Sequence, residues 1–210
     1  MIPKVTKIKF TLLAFICSFS FYGQFIHAKQ ILIYGDSLSA AYGMHVEEGW
    51  AHLLAEQLAA DHTIINASIS GDTSAAGLAR LPITLENFKP DLVILELGAN
   101  DGLQGLPVAR MRENLASMIE LSKSHGADVA LVGISLPASY GPRYIDSFRA
   151  TFTELASKYE LPFIDFYREE FLDQEGYIQE DGLHPTAITQ PLVRDFLLDF
   201  LVENELLVSK

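Results

Sequence analysis

Cysteine is all but absent from this chain. Its one cysteine, Cys17, lies in an apolar stretch near the N-terminus, so the rest of the sequence has no thiol nucleophile, no disulfide and no cysteine metal site. Long apolar runs are scarce as well. The run from Phe10 to about Phe21 is shorter than the roughly 20 residues a spanning helix needs, and no comparable run follows, so a stable membrane anchor is not expected. Lys4, Lys7 and Lys9 precede that run and Ala28 offers a small residue for cleavage, so residues 1–28 read as a removable secretory signal peptide. Ile26 stands three residues before that cut where Ala is usual, which leaves an earlier cut, for example after Gly23, open. Bulky Ile16 before Cys17 argues against a lipoprotein signal. A periplasmic or secreted location follows as the expectation.

Positive charge is also sparse. The chain has 15 Lys and Arg against 27 Asp and Glu; three of the lysines and none of the acids fall in residues 1–28, leaving 12 against 27, a net of −15, for residues 29–210. Nucleic-acid binding draws its affinity from Lys and Arg clusters, so a field of this sign excludes it. Repeats, low-complexity segments and Gly-, Ser- or Pro-rich linkers are missing too. Residues 29–210 therefore read as one domain, a monomer, whose core must hold without disulfides.

What is present is an alternation. Short β-branched runs recur at 30–34, 63–67, 92–97, 129–135 and 163–166, separated by segments with helical periodicity. The stripes Trp50, Leu53, Leu54, Leu58, then Val108, Met111, Leu115, Met118, Ile119, then Ile145, Phe148, Phe152, Leu155, Tyr159 each cover one helix face. A last stripe from Leu192 to Leu201 follows Pro191, which suits the first turn of a helix. This pattern implies an α/β protein with a parallel sheet. The loops after the first four strands, 35–49, 68–74, 98–107 and 136–143, then converge on one sheet edge, where open α/β sheets bind their ligands.

The first of these loops begins Gly35-Asp36-Ser37-Leu38-Ser39, which presents Ser37 as a candidate nucleophile, with Gly35 expected to allow a sharp bend. A serine hydroxyl needs a base. His52 reads as a helix-surface residue paired with Glu48, while His62 and His125 lie at helix ends. His184 in Asp181-Gly182-Leu183-His184-Pro185 has an acid three residues earlier, able to fix its tautomer and stabilise the imidazolium. Oxyanion donors are on offer from Gly71, in Ser70-Gly71-Asp72-Thr73-Ser74, and from the Asn100 amide, in Gly98-Ala99-Asn100-Asp101-Gly102. Each segment taken alone is also an ordinary turn sequence. The Gly-x-Ser-x-Gly elbow of the α/β-hydrolases is absent at Ser37, because position 39 is Ser.

Together the four blocks 35–39, 66–74, 96–102 and 181–185 resemble those of the SGNH, or GDSL, hydrolases. Over nearly all of residues 30–205 the chain is similar to a secreted bacterial subgroup with thioesterase, lysophospholipase and arylesterase activity; Gly77 to Pro82 and Leu136 to Tyr144 carry that finer likeness. The resemblance implies a flavodoxin-like three-layer α/β/α fold with a five-stranded parallel sheet. It further implies Ser37 as nucleophile, Asp181 and His184 as acid and base, and the Ser37 N–H, Gly71 and Asn100 as oxyanion donors, with no metal and no cofactor. Ala99 departs from the Gly frequent in close relatives, which puts the space beside Asn100 in question. Leu103, Leu106, Leu136 and Pro137 are the expected acyl-chain wall, with 102–107 as its movable part. The expected substrates are acyl esters and thioesters, with transient contact with lysophospholipid aggregates. Two rivals stand: a carbohydrate O-acetylesterase with a smaller, more polar acyl pocket, and a non-catalytic lipid-binding module on the same scaffold.

Overall fold

A computed structural model describes residues 28–166 and 174–208, so the expected leader and Cys17 lie outside the described residues, apart from Ala28. Five strands form one parallel sheet: β1 (Gln30–Gly35), β2 (Thr63–Asn66), β3 (Leu92–Glu96), β4 (Asp128–Gly133) and β5 (Phe163–Asp165), in the order β2-β1-β3-β4-β5. Each expected strand is found, with its last residue shifted by up to two positions. The chain steps from β1 outward to β2, then returns to the far side of β1 for β3. The crevice between the ends of β1 and β3 is thus the topological switch point of this doubly wound order.

Successive strand residues face opposite ways, and the sheet sorts its apolar side chains accordingly. Leu32, Tyr34, Val93, Leu95, Val129 and Leu131 face one layer, made by α2 (Ser74–Phe88), α4 (Val108–Ser124) and α5 (Pro142–Tyr159). Ile31, Ile33, Leu92, Ile94, Ala130 and Val132 face the other, made by α1 (Trp50–Leu58) and α6 (Gln190–Glu203). With both faces covered, β1 and β3 read as unbroken apolar runs rather than alternating ones. The expected helical stripes supply α1, α4, α5 and α6. The remaining long helix, α2, carries Gly77, Arg80 and Pro82 and has the less regular pattern; Thr73 caps it, its Oγ1 accepting from the Ala76 N–H at 3.3 Å.

Among the described residues, short helical turns lie in three stretches that the sequence reads as loop: Val46–Glu48, Ala138–Tyr140 and Ala99–Leu103, the last of which shapes the site. Residues Ala99–Leu103 form α3, a single turn directly behind β3. It starts from Gly98, whose φ of 125° is closed to other residues, and a Cβ there would stand 2.9 Å from Met111 Sδ and 3.3 Å from the Phe152 ring. This turn aims Asn100 at the β1 loop. Gly98→Ala should therefore lower stability by about 1–3 kcal/mol through backbone strain and overpacking, read as a shift in urea unfolding midpoint; an unchanged midpoint would count against the packing described.

Candidate active site

Parallel pairing of β1 with β3 sets Gly35 opposite Glu96. Gly35 is required by this close approach and not by a bend: a Cβ would meet Glu96 Oε2 at 2.5 Å and the Glu96 carbonyl oxygen at 2.9 Å. The left-handed residues of the loop are instead Ala41, with φ 56°, and Gly43, with φ 76°. Beyond Gly35 the chain coils tightly, the Ser39 and Ala40 N–H groups donating to the Asp36 carbonyl and the Tyr42 N–H to the Ser37 carbonyl. The Leu38 carbonyl accepts from Trp50 Nε1 at 2.9 Å and the Ser39 carbonyl from Asn66 Nδ2 at 2.7 Å. Ser37 is held half-exposed at the top of this coil.

His184 arrives from the other end of the chain. Its Nε2 stands 2.8 Å from Ser37 Oγ, and its Nδ1 stands 2.7 Å from Asp181 Oδ2. Asp181 is anchored in turn by its own loop, Oδ1 accepting from the Leu183 and His184 N–H groups at 2.8 and 3.0 Å. Partial burial works to raise the Asp181 pKa, but the hydrogen bonds from the His184 ring and these two N–H groups prevail and hold the carboxyl below its usual range. A carboxylate there requires Nδ1 to carry the hydrogen, which leaves Nε2 as the acceptor facing Ser37. The turn is fixed on a small antiparallel bridge, Ile178 to Pro185, with Gln179 N–H donating to the His184 carbonyl at 2.8 Å. Gln179 Nε2 ties this turn to the β1 loop, donating to the carbonyls of Tyr42 at 2.9 Å and Pro185 at 3.0 Å. The Tyr42 ring lies against the His184 ring, centroids 4.4 Å apart.

The loops after β2 and β3 close the third side. Asn100 Nδ2 donates to Asp36 Oδ2 at 3.0 Å and to the Asp72 carbonyl at 2.9 Å, linking the residue before Ser37 to the residue after Gly71. Both amide hydrogens are therefore directed at protein acceptors in the resting enzyme. Arg80 adds a second tie: it donates to Asp72 Oδ2 and to the Ala67 carbonyl, each at 2.6 Å, and lies 4.0 Å over the Tyr34 ring. Asp101 adds a third, accepting from the Ser74 N–H and hydroxyl at 2.6 Å each. Ala99 packs into the core cluster, so its methyl does not intrude beside Asn100.

Beneath Ser37 lie two carboxyls that are fully buried, Asp36 and Glu96. Ser39 Oγ donates to Glu96 Oε2 at 2.7 Å, while Glu96 Oε1 has no hydrogen-bond partner. Burial raises the Asp36 pKa to about 6 against the pull of the Leu38 N–H, His184 and Asn100. Burial, then the neighbouring Asp36, push Glu96 well above the ordinary carboxyl range, which favours its protonated form. A neutral acid also leaves the unpartnered oxygen less costly than a carboxylate would.

Of the expected acyl wall, Leu103 and Pro137 are half-buried, Leu106 is exposed, and Leu136 is buried in the core. Leu136 thus forms floor, not wall, and Gly102, expected as a hinge, is buried in α3 against Leu136 and Phe148. Tyr140 and Tyr144 hold this segment from α5 and the turn before it, their hydroxyls donating to the carbonyl of Leu103 at 2.8 Å and of Gly102 at 3.3 Å. His52 pairs with Glu56 at 3.6 Å, not with Glu48, because Glu48 turns back to accept from the His45 N–H. No signal in the sequence marks Gln179 or the two tyrosines. Glu96 had one, a lone acid ending an apolar strand.

Residues 33–190 match the GDSL-like lipase/acylhydrolase family. The chain belongs to that family. The esterase TesA of Pseudomonas aeruginosa is 46% identical over 167 residues, covering 78% of this chain and 83% of the relative. Thioesterase 1/protease 1/lysophospholipase L1 of Escherichia coli K12 is 40% identical over 170 residues, covering 81% and 82%. Among solved structures, TesA superposes with a TM-score of 0.79 at 44% identity, over 82% of this chain and 98% of that one. The psychrotrophic esterase EstA from Pseudoalteromonas sp., inhibited by monoethylphosphonate, gives 0.80 at 42% identity, over 83% and 97%.

In this GDSL family member the buried acid pair makes a prediction. Both carboxyls hold protons more tightly folded than unfolded, so the stability they contribute is complete below about pH 4 and is lost as pH rises through the folded values. Glu96→Gln removes the more strongly shifted of the two. Urea unfolding should show the variant gaining on the wild type between pH 4.5 and pH 8; a pH-independent difference would overturn the raised proton affinity of Glu96.

Proposed function

We propose that the enzyme hydrolyses acyl esters and thioesters, with Ser37 as nucleophile, His184 as general base and acid, and Asp181 as its orienting carboxylate. The observation that carries this reading is the unbroken relay from Asp181 Oδ2 through the His184 ring to Ser37 Oγ, at 2.7 and 2.8 Å. As Ser37 attacks the carbonyl carbon, its proton passes to His184 Nε2. The oxyanion that forms is stabilised by the N–H groups of Ser37 and Gly71 and by Asn100 Nδ2, which turns one hydrogen from a carbonyl or carboxylate acceptor towards the new charge. His184 then hands its proton to the leaving oxygen or sulfur. Water repeats the sequence on the acyl-enzyme with the same proton transfers, releasing the acid.

The acyl chain runs along Leu103, Leu106 and Pro137, which favours medium or long chains over acetyl. Lysophospholipids and aryl esters fit these requirements, reached by transient contact of a monomer with lipid aggregates. The N-terminal segment supports export to the periplasm or beyond. The relatives' activities, esterase and thioesterase/lysophospholipase, point the same way.

Ser37→Ala should abolish hydrolysis and the mass addition produced by a serine-directed phosphonate, with an unfolding midpoint near that of the wild type. Asp181→Asn should lose about 10³- to 10⁴-fold in kcat, since the wrong imidazole tautomer then faces Ser37. Full turnover in either variant refutes the roles. A series of p-nitrophenyl esters from acetyl to dodecanoyl should peak at or beyond octanoyl; a peak at acetyl would favour the acetylesterase reading.

A further inference from the structure

His184 donates its proton to the leaving group, so the leaving group must lie on the His184 side of Ser37, away from the acyl wall. On that side the Tyr42 ring lies over His184, and directly beyond Tyr42 a cleft of about 560 Å³ opens between residues 43–48 and 179–187. This volume is within the range of small-molecule sites. The cleft adjoins the reaction centre: its lining residues Gly43 and Thr186 follow Tyr42 and Pro185 in the chain, and Gln179, which also lines it, donates to the carbonyls of both Tyr42 and Pro185. Its walls are mixed: Met44 supplies apolar surface, while His45, Glu48, Gln179 and Thr186 supply polar groups. The acyl side, by contrast, presents leucine and proline.

Charge narrows the occupant. No Lys or Arg occurs from residue 30 to residue 79, nor from 174 to 193, the two stretches that build both walls. The same stretches carry Glu47, Glu48, Glu180 and Asp181, of which Glu48 lines the cleft and Asp181 holds His184. Arg80, the first cation after the long gap, is spent on Asp72 and the Ala67 carbonyl. Among the described residues no Lys or Arg lines this cleft to neutralise a polyanionic leaving group such as coenzyme A, whereas an aromatic face with a nearby carboxylate suits an ammonium group, as in the zwitterionic head of a lysophospholipid.

We propose that this cleft is the leaving-group subsite, built for polar alcohols that are uncharged, zwitterionic or cationic and selective against polyanionic thiols. The inference rests on the acyl-hydrolase reading above. Within it, acyl-coenzyme A hydrolysis is a chemical capability of the serine relay that the leaving-group side opposes.

The test fixes the acyl group as octanoyl and varies what leaves: choline, glycerol, N-acetylcysteamine as a neutral thiol, and coenzyme A. At low ionic strength kcat/KM for the coenzyme A thioester should fall about tenfold below that for the neutral thioester, with the gap closing as salt is raised. Glu48→Lys should raise the ratio of coenzyme A to neutral thioester about threefold and lower the ratio of choline to glycerol ester by a similar factor. Opposite movements of two ratios in one variant cannot come from partial unfolding. Met44→Trp, which fills the cleft, should lower kcat/KM for the glycerol and choline esters about tenfold relative to octanoyl methyl ester. Ratios unchanged in both variants, or equal rates for both thioesters at low salt, would overturn the subsite. Absence of hydrolysis of every substrate by the wild type would instead remove the acyl-hydrolase reading on which it rests.

Discussion

The pairing of β1 with β3, Gly35 opposite Glu96, is the constraint from which the site follows. It puts a carboxyl side chain directly under the residue that leads into Ser37, at a point where the backbone has no room for a Cβ. It also sets the end of β3, and so Asn100, beside the end of β1. A register slip of one residue would turn Glu96 to the opposite face and remove Ser39's acceptor along with it. The nucleophile loop is thus bound to the sheet by polar contacts that exist only in this register.

Loops are ordinarily the mobile part of a domain, yet these must hold reacting atoms to within about half an ångström. The enzyme meets this demand by bonding its loops to one another. Asn100 joins the loops after β1, β2 and β3; Arg80 joins β2's loop to the helix that follows it; Gln179 joins the β1 loop to the turn that carries His184. The arrangement has an energetic cost at its centre. Asp36 and Glu96 are buried side by side, and burial raises the proton affinity of both. Such placement destabilises the fold as pH rises, and it is found where a site, not a core, sets the requirement.

Much of the fold was legible because parallel sheets covered on both faces write themselves as apolar runs separated by helical stripes. All five strands and four of the five long helices follow from that pattern. The helix α2 was harder, since Gly77, Arg80 and Pro82 are on it for reasons of contact: Tyr34 Oη donates to the Gly77 carbonyl, and Arg80 reaches two loops. The single turn α3 escaped because its start depends on Gly98 meeting Met111 and Phe152, neither of which is near in sequence. The same holds for Leu136, whose position between loop and strand reads as exposed until Gly102 lands on it.

Ser37, His184 and Asp181 were legible as candidates from residue type and the shared turn of Asp181 and His184, and only the joint resemblance of the four blocks tied them into one proposed relay. Which hydroxyl the imidazole reaches, 147 positions away, was beyond any local pattern. Sequence alone determined the α/β alternation, the scarcity of positive charge and the candidates for the reactive groups, since these reside in composition and in short motifs. The tertiary structure decided the raised proton affinity of Glu96, the occupied state of the Asn100 amide and the unequal polarity of the two sides of His184. Those properties arise from desolvation and from contacts between remote segments, and neither exists until the chain has folded.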